Sequence, residues 1–214
     1  ALGYTMVYGI ARMLNFAHGD IIMVGGFVIF TMVSTLGLPP MVGVLVAVIA
    51  CTVLGVVIER VAYKPLRGAS SLAVLITAIG VSYLLQNVAL LIFGSNARQF
   101  TSVVNVPSLK LAGGALSISG VTLVTIITCI VIMVALTTFI NKTRVGQAML
   151  AVSEDTGAAT LMGINVNSTI AITFAIGSAL AAIAGALLCS AYPSLTPYTG
   201  SMPGIKAFVA AVFG

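Results

Sequence analysis

The polar side chains best suited to binding a ligand lie together in one short segment of an otherwise apolar chain. The segment RMLNFAHGD, residues 12–20, places Asn15, His18, Gly19 and Asp20 directly before a long uncharged run. Such groups are costly in apolar surroundings unless they face protein or water. Two interpretations are open: the residues line a substrate path at a helix broken near Gly19, or Asn15 or Asp20 caps a helix at an interface.

A second polar pair, Gln86 and Asn87, interrupts a later apolar run. Hydrogen bonding between helices and the lining of a substrate path are the two roles open to these amides. His18 is the only histidine, so a metal site built from several histidines is excluded, and no cofactor is predicted. The chain has neither a GxSxG serine motif nor a GxxxxGK[ST] phosphate-binding loop. The sequence therefore predicts a protein that is not an enzyme and has no ATP site of its own.

The stretch AVSEDTGAATLMGIN contains Glu154 and Asp155, half of the four carboxylates in the chain. Ser153 and Asp155 are both candidates for the N-cap of a short helix, Gly163 is typical of a helix end, and Asn165 is a candidate cap for the next helix. The preceding TRVGQAMLAV has apolar residues at helical spacing, which predicts an amphipathic segment. A small-faced helix here fits a groove of another protein, and a solvated connector is the alternative.

The composition predicts which solvent surrounds this chain. Charged residues are 6% of the sequence and hydrophobic residues 60%, with a mean hydropathy of +1.21, whereas globular domains have roughly 25% charged residues. So few charges cannot cover the surface of a soluble protein, and lipid is the natural surrounding. The net charge of +5 comes from dispersed residues that form no stripe suited to nucleic acid. We therefore expect a multi-pass protein of the lipid bilayer that binds no nucleic acid.

Uncharged intervals of about 20 residues or more can cross the hydrocarbon core as helices. Pro39 and Pro40 divide the first long interval in two, and Asn165 and Pro193 bracket the last whole span. Five whole spans are predicted near 21–37, 41–58, 72–93, 118–140 and 168–190, with partial spans at 1–11 and 205–214. Both ends lie within apolar runs, so truncation at both ends is expected. The predicted fold is all-α: a polytopic transmembrane helix bundle in a single domain, residues 1–214.

Basic residues predict the orientation of the bundle, because loops rich in Lys and Arg remain in the cytoplasm. The loops 59–71 and 141–167 together contain five of the nine basic residues, whereas the loop 95–117 contains two. The first two loops are therefore predicted to be cytoplasmic. Loop 95–117 and the later loop 191–204 are predicted to be external.

A face of small residues marks the predicted helix 168–190. Gly177, Ala181 and Gly185 recur every four residues, which places them on one side of a helix. Helices in lipid associate through close backbone contact, since apolar side chains gain little by leaving lipid. This face is predicted to be a helix-packing seam, either within the bundle or between subunits.

Five sequence blocks resemble, in order, the permease subunits of branched-chain amino acid ABC importers, specifically the H-type subunit. The blocks are GYTMVYGIARMLNFAHGDIIMVGGF (3–27), ERVAYKPLR (59–67), LITAIGVSYLLQN (75–87), EDTGAATLMGIN (154–165) and SMPGIKAFVAAVFG (201–214). The resemblance covers nearly the whole chain and is weak only in the external loop 95–120. It implies a permease-like fold with further spans beyond both ends.

The resemblance also implies a function and partners. A binding protein would deliver the amino acid outside the bacterial cytoplasmic (inner) membrane, and cytosolic ATPase subunits would drive alternating access together with a second, identical or sister, permease subunit. In this family the segment corresponding to 143–163 is a coupling segment, akin to the EAA loop of importers, that docks on the ATPase subunit. The docking residues it implies are Glu154, Asp155, Ala158, Ala159 and Gly163.

Two other functions compete with this one. Related permeases of the same group carry urea or short amides, so the substrate rests on similarity to the amino-acid branch. An ion-coupled secondary carrier is the other alternative. It is disfavoured because no charged residue lies within any predicted span.

Overall fold

The computed structural model describes residues 1–104, 106–111 and 116–213. Residues 105 and 112–115 of the predicted external loop and Gly214 of the last partial span lie outside this set. Within the described residues the chain forms nine α-helices: α1 (Leu2–Ala11), α2 (Ala17–Phe30), α3 (Pro40–Ile58), α4 (Ser71–Phe93), α5 (Gly120–Lys142), α6 (Arg144–Glu154), α7 (Thr156–Leu161), α8 (Val166–Ala191) and α9 (Ser201–Phe213).

In the part of the chain that the structure describes, five helical segments are long and apolar enough to cross a membrane: Ala17–Thr35, Pro40–Leu66, Ser71–Phe93, Gly120–Lys142 and Val166–Ala191. The short helices α1 and α9 are apolar as well. Two antiparallel pairs of short strands lie in the connections. In one, β1 (Arg98–Gln99) pairs with β4 (Ser194–Leu195), and in the other β2 (Leu109–Leu111) pairs with β3 (Leu116–Ile118). The predicted polytopic helix bundle is confirmed.

Two helical segments extend beyond the spans that uncharged intervals predicted. The segment predicted to begin at residue 21 begins at Ala17, so Asp20 lies in its first turn and is buried. The segment predicted to end at residue 58 continues in helical turns to Leu66, and includes the buried Glu59, which forms an ion pair with Arg67. The prediction that no charged residue lies within a span is therefore wrong, because a buried carboxylate with suitable partners does not interrupt a helix.

The helix ends follow local rules that can be read from the sequence. Pro40 occupies the first turn of α3, where its missing N–H removes no helical hydrogen bond. The Ser70 side chain accepts a hydrogen bond from the Ala73 amide at the start of α4, and Gly94, with a φ of 80°, follows its last residue. The predicted cap at Asn165 is present, since its side chain accepts from the Ser168 amide at 3.1 Å.

The helices form an inner and an outer layer. The inner layer is α2, α3 and α8, which contact one another, and α1 and α9 pack on it. In contrast, α5 buries only Gly120, and α4 buries only Val74, Ala78 and Ala89. The outward faces of α4 and α5 are apolar, as expected for surfaces that meet lipid or another membrane subunit.

The small-residue face of α8 lies within the bundle. A Cβ added at Gly177 would approach the Gly3 carbonyl oxygen of α1 at 3.2 Å. A Cβ added at Gly185 would lie 2.5 Å from the Ile22 carbonyl oxygen of α2. Ala181, between them, is 1% exposed. Of the two seams considered from sequence, the structure shows the one inside the chain.

Contacts between loops define the two ends of the bundle. At one end Arg12 donates to the Ser153 carbonyl, and Arg67 donates to Asn167. At the other end β1, which follows α4, pairs with β4, which follows α8. The loops predicted to be cytoplasmic therefore gather at one end, which we call the basic end, and described parts of the loops predicted to be external meet at the other.

We expect Gly185→Ala to destabilise the bundle, because the new methyl group would push the backbones of α2 and α8 apart. Overpacking of this kind costs about 1–3 kcal/mol. Gly80→Ala is the matched control, since no atom lies within 4 Å of a Cβ added there on α4. Thermal unfolding of the detergent-solubilised protein measures both. Equal midpoints for the two variants would contradict the close approach of α2 to α8.

Candidate functional site

The segment 12–20 contains a helix break, and the break precedes Gly19. Arg12 ends α1 with a φ of 51°, in the left-handed region, and α2 begins at Ala17. Gly19 is therefore inside the first turn of α2. Neither Asn15 nor Asp20 caps this helix, because both side chains bond to residues of other helical segments. The capping interpretation is wrong, and the predicted break lies between residues 12 and 16.

Asn15 and His18 are buried in separate surroundings. Tyr63 donates a hydrogen bond to Asn15 Oδ1 at 3.0 Å, which ties the break to the end of the α3 segment. The His18 ring meets the Tyr4 ring edge-on at 5.5 Å and lines a mainly apolar cavity of about 260 Å³ between α1, α5 and α8. Asn15 therefore holds the break in place, and His18 lies apart from the other polar side chains of the segment.

Gly19 is the point where α2 meets the start of α9. A Cβ added there would overlap the Gly200 carbonyl oxygen and lie 2.9 Å from the Gly204 Cα. A Cβ added at Gly200 would overlap the Gly19 carbonyl oxygen in turn. Only glycine permits this backbone-to-backbone contact, which holds the N-terminal turn of α9 beside Asp20.

Asp20 is the centre of a polar cluster that joins α2 to α4. Ser82 donates to Asp20 Oδ2, and the Gln86 amide donates to Oδ1 at 2.9 Å and approaches Ser82 Oγ at 3.3 Å. The carboxylate is 1% exposed. Sequence analysis selected Gln86 and considered Asp20 as a path-lining or capping residue, but it did not select Ser82.

The Asp20 cluster lies halfway along the bundle. Ser82 and Gln86 stand 11 and 15 residues after Ser71 in the 23-residue helix α4. A helix rises about 1.5 Å per residue, so the two side chains lie about 16 and 22 Å from the start of α4. If α4 crosses the bilayer, this position corresponds to the middle of the hydrocarbon core.

A cleft of about 280 Å³ opens beside this cluster, between α4 and α9. Its polar side consists of Asp20, Ser82 and Gln86, and Ser201 lies on the α9 side. Phe16, Ile79 and Ile205 provide apolar walls. The arrangement combines one carboxylate, neutral hydrogen-bonding groups and apolar surface in a single small cleft. In contrast, Asn87 is exposed, donates to the Tyr83 carbonyl of its own helix and lies outside the lining.

The predicted coupling segment forms two short helices at the basic end. Met149 and Val152 of α6 are buried against the bundle, whereas Val145 is 39% exposed. Met149 and Val152 follow the helical spacing read from the sequence, whereas Val145, predicted on the same apolar face, is exposed. Met149 belongs to a cluster with Met6 and Ile10 of α1, so α6 packs directly against α1, the helix that precedes the break.

Helix α7 begins at the acidic pair. Asp155 is the N-cap, and its Oδ1 accepts hydrogen bonds from the amides of Gly157 at 2.7 Å and Ala158 at 3.1 Å. Glu154 and Ala158 are exposed. Gly163, with a φ of 82°, follows α7 in the left-handed conformation typical of a helix end. Of the two caps considered, the structure therefore shows Asp155.

The outward face of α7 differs from the predicted one. Ala159 was predicted to contact a partner, but it is 3% exposed and packs into the core of the chain. Leu161 and Met162, by contrast, are 89% and 82% exposed. One signal in the sequence indicates this exposure: two large apolar residues lie directly before a helix-ending glycine in a polar loop. Which face of α7 points outward could not be predicted from the sequence of so short a helix.

The chain is similar to proteins of amino-acid transport. A family model described as branched-chain amino acid transport system, permease component, matches residues 1–214. The chain is 42% identical to the high-affinity branched-chain amino acid transport system permease protein LivH of Salmonella typhimurium. It is 40% identical to the permease protein BraD of Pseudomonas aeruginosa, which has the same description. It covers 73% of each relative. A probable LivH permease of Methanocaldococcus jannaschii is 28% identical, with 68% covered. No solved structure matches.

Several apolar helices that can cross a membrane, with a polar cleft among them, are features of a membrane transport protein. The chain belongs to the family of branched-chain amino acid transport system permease components. This confirms the family resemblance of its sequence blocks. It also confirms the prediction of a multi-pass transport subunit rather than an enzyme.

We expect Asp155→Ala to loosen α7, because the amides of Gly157 and Ala158 would lose their acceptor. Loss of an N-cap costs about 1 kcal/mol, so hydrogen exchange of these amides should be about 5-fold faster. Exchange monitored by mass spectrometry on the purified protein measures this change. Glu154→Ala is the control, since that exposed neighbour makes no cap bond. Equal acceleration in both variants would contradict the assignment of the cap.

Proposed function

We propose that this chain is the membrane-spanning permease subunit of an ABC importer for branched-chain or related amino acids. Separate ATPase subunits drive alternating access, an extracytoplasmic binding protein delivers the substrate, and a second permease subunit completes the path. Membership of the permease family supports this function, and relatives named as high-affinity branched-chain amino acid permeases support the substrate class. The site of action is the bacterial cytoplasmic membrane.

The observation that carries the ATPase partnership is the exposed apolar end of α7. Leu161 and Met162 project from the end of the bundle that carries the basic loops. Exposed apolar side chains beside a capped, rigid turn are typical of a protein contact. Glu154 and Ala158 are exposed on the same short segment and extend this surface. We refer to these four residues as the docking surface.

Ala159, Asp155 and Gly163 hold the docking surface in place. Ala159 packs inward against the core that also contains Val152 and Ile170. Asp155 caps the helix at one end, and Gly163 reverses the chain at the other, where the Ile164 amide bonds back to the Ala159 carbonyl at 3.0 Å. A force on the docking surface therefore acts on the bundle through a short rigid element.

We expect the double substitution Leu161→Asp with Met162→Asp to abolish association with the ATPase subunits. The two apolar side chains that the partner would bury would be replaced by charged ones. Co-purification from membranes that contain the complete transporter should fall by more than about 10-fold, and ATP-dependent leucine uptake should fall with it. Leu36→Asp is the matched control, because Leu36 is 59% exposed at the opposite end. Normal co-purification of the double variant would contradict docking at α7.

The orientation of the bundle is tested by labelling single cysteines from each side. Lys64→Cys at the basic end should react with a membrane-impermeant thiol reagent only after the membrane is opened. Tyr198→Cys, exposed in the connection between α8 and α9, should react in intact cells. Both are placed in a protein whose exposed Cys129 is replaced by Ser. The reverse labelling pattern would show that the bundle has the opposite orientation and that α7 lies outside the cytoplasm.

A further inference from the structure

Asp20 is a buried carboxylate without a cationic partner. It accepts hydrogen bonds from two neutral side chains, Ser82 and Gln86. Among the described residues, the ion pair that the structure shows is formed by Glu59 and Arg67, and no Lys, Arg or His nitrogen lies within 4.0 Å of Asp20. A carboxylate can accept about four hydrogen bonds, so Asp20 has capacity left for another donor.

A charge at this depth needs compensation. Carboxylates within membrane-crossing segments are rare; they face the bundle interior or a water-filled cavity and mark substrate or ion pathways. The unused capacity of Asp20 adjoins the cleft of about 280 Å³ between α4 and α9. A cationic group that enters this cleft from outside the chain can supply that compensation.

The cleft walls indicate what else the entering molecule carries. Phe16, Ile79 and Ile205 are apolar and line the same cleft as the polar cluster. Ile79 and Ile205 are 41% and 51% exposed, so the cleft opens at the surface of the bundle between α4 and α9. A molecule with one cationic donor group and a short aliphatic part matches both kinds of wall.

We propose that this cleft binds the amino-acid substrate during its passage, with the substrate ammonium group on the Asp20 carboxylate and its aliphatic side chain against Phe16, Ile79 and Ile205. This assignment rests on the proposed function, because it names the contact that a substrate of the proposed class would make.

An ammonium group fits this cluster better than a metal cation. Hard cations such as Ca²⁺ and Mg²⁺ require a shell of several oxygen ligands. Gln86 directs its amide nitrogen, and not its oxygen, toward Asp20, and Asp20 supplies the only carboxylate in the cleft lining. An ammonium group needs only acceptors, and the Asp20 oxygens and the Ser82 hydroxyl supply them.

The first experiment measures ATP-driven leucine uptake by the complete transporter in proteoliposomes. Asp20→Asn keeps the size of the side chain but removes its charge, and uptake is expected to fall by at least about 10-fold. The double variant Asp20→Asn with Gln86→Glu returns a carboxylate to the same cluster, and it should recover at least about a third of the lost rate. Failure of the double variant to recover uptake would contradict a role for the negative charge in this cluster.

Thr173→Val is the matched control for polarity lost inside the bundle. Thr173 is 0% exposed, and its hydroxyl bonds only to the Thr169 carbonyl of its own helix. Uptake by this variant should stay within about 2-fold of the unmodified protein. Co-purification of the ATPase subunits should be the same for all these variants, since none of them touches α7.

The second experiment tests the cleft without transport. Ile205→Cys, in a protein lacking its native cysteines, is treated with a small cationic and a small anionic thiol reagent. The cationic reagent should react about 10-fold faster, because Asp20 attracts it, and Asp20→Asn should abolish the preference. Ile130→Cys on the outward face of α5 should react with neither. Equal rates at position 205, or no reaction there, would overturn the proposal.

The outcomes separate the two proposals. If the unmodified transporter shows no ATP-dependent leucine uptake, the proposed function fails whatever Asp20 does. If it transports and Asp20→Asn transports equally well, only the ammonium site is overturned. If uptake by the unmodified transporter depends on a Na⁺ or H⁺ gradient and Asp20→Asn removes that dependence, Asp20 binds the coupling ion, which also overturns the ammonium assignment.

Discussion

The structure depends on backbone contact between helices that no side chain separates. In lipid the hydrophobic effect does not drive helices together, so their association relies on close van der Waals contact. Gly185 brings α8 against Ile22 of α2, and Gly19 brings the first turn of α2 against Gly200 and Gly204. These contacts hold the start of α9 beside α2 and so create one wall of the cleft at Asp20. A methyl group at Gly19, Gly200 or Gly204 would change the width of that cleft.

The docking surface and the cleft are joined by a continuous path of contacts. Helix α6 packs on α1 through Met149, and Arg12 at the end of α1 donates to the Ser153 carbonyl just before α7. The break that follows Arg12 leads within eight residues to Asp20. A displacement of α7 therefore acts on the segment whose position sets the cleft. Such a route is a physical connection between the proposed docking surface and the cleft.

Local rules predicted the helices well and the site only in part. The caps at Asp155 and Asn165 and the helix end at Gly163 follow from residue types within a few positions. Burial of Asp20 could not be predicted in this way, because its partners Ser82 and Gln86 are 62 and 66 residues away along the chain. Because the spans were predicted from uncharged intervals, Asp20 was even placed outside its helix. The inward direction of Ala159 likewise depends on how α7 rests on the bundle.

The two buried carboxylates of the membrane-crossing segments show what an acidic residue can do in this fold. Glu59 and Asp20 are each 1% exposed. Glu59 lies near the basic end and is paired with Arg67, so its charge is compensated within the chain. Asp20 lies at mid-depth, where an uncompensated charge is most costly, yet only neutral groups bond to it. If Asp20 served stability alone, we would expect it to be paired at least as completely as Glu59, because the energetic cost of an uncompensated charge is higher at mid-depth. The difference therefore argues that the partner of Asp20 is a mobile cationic group, which a transport protein must be able to release.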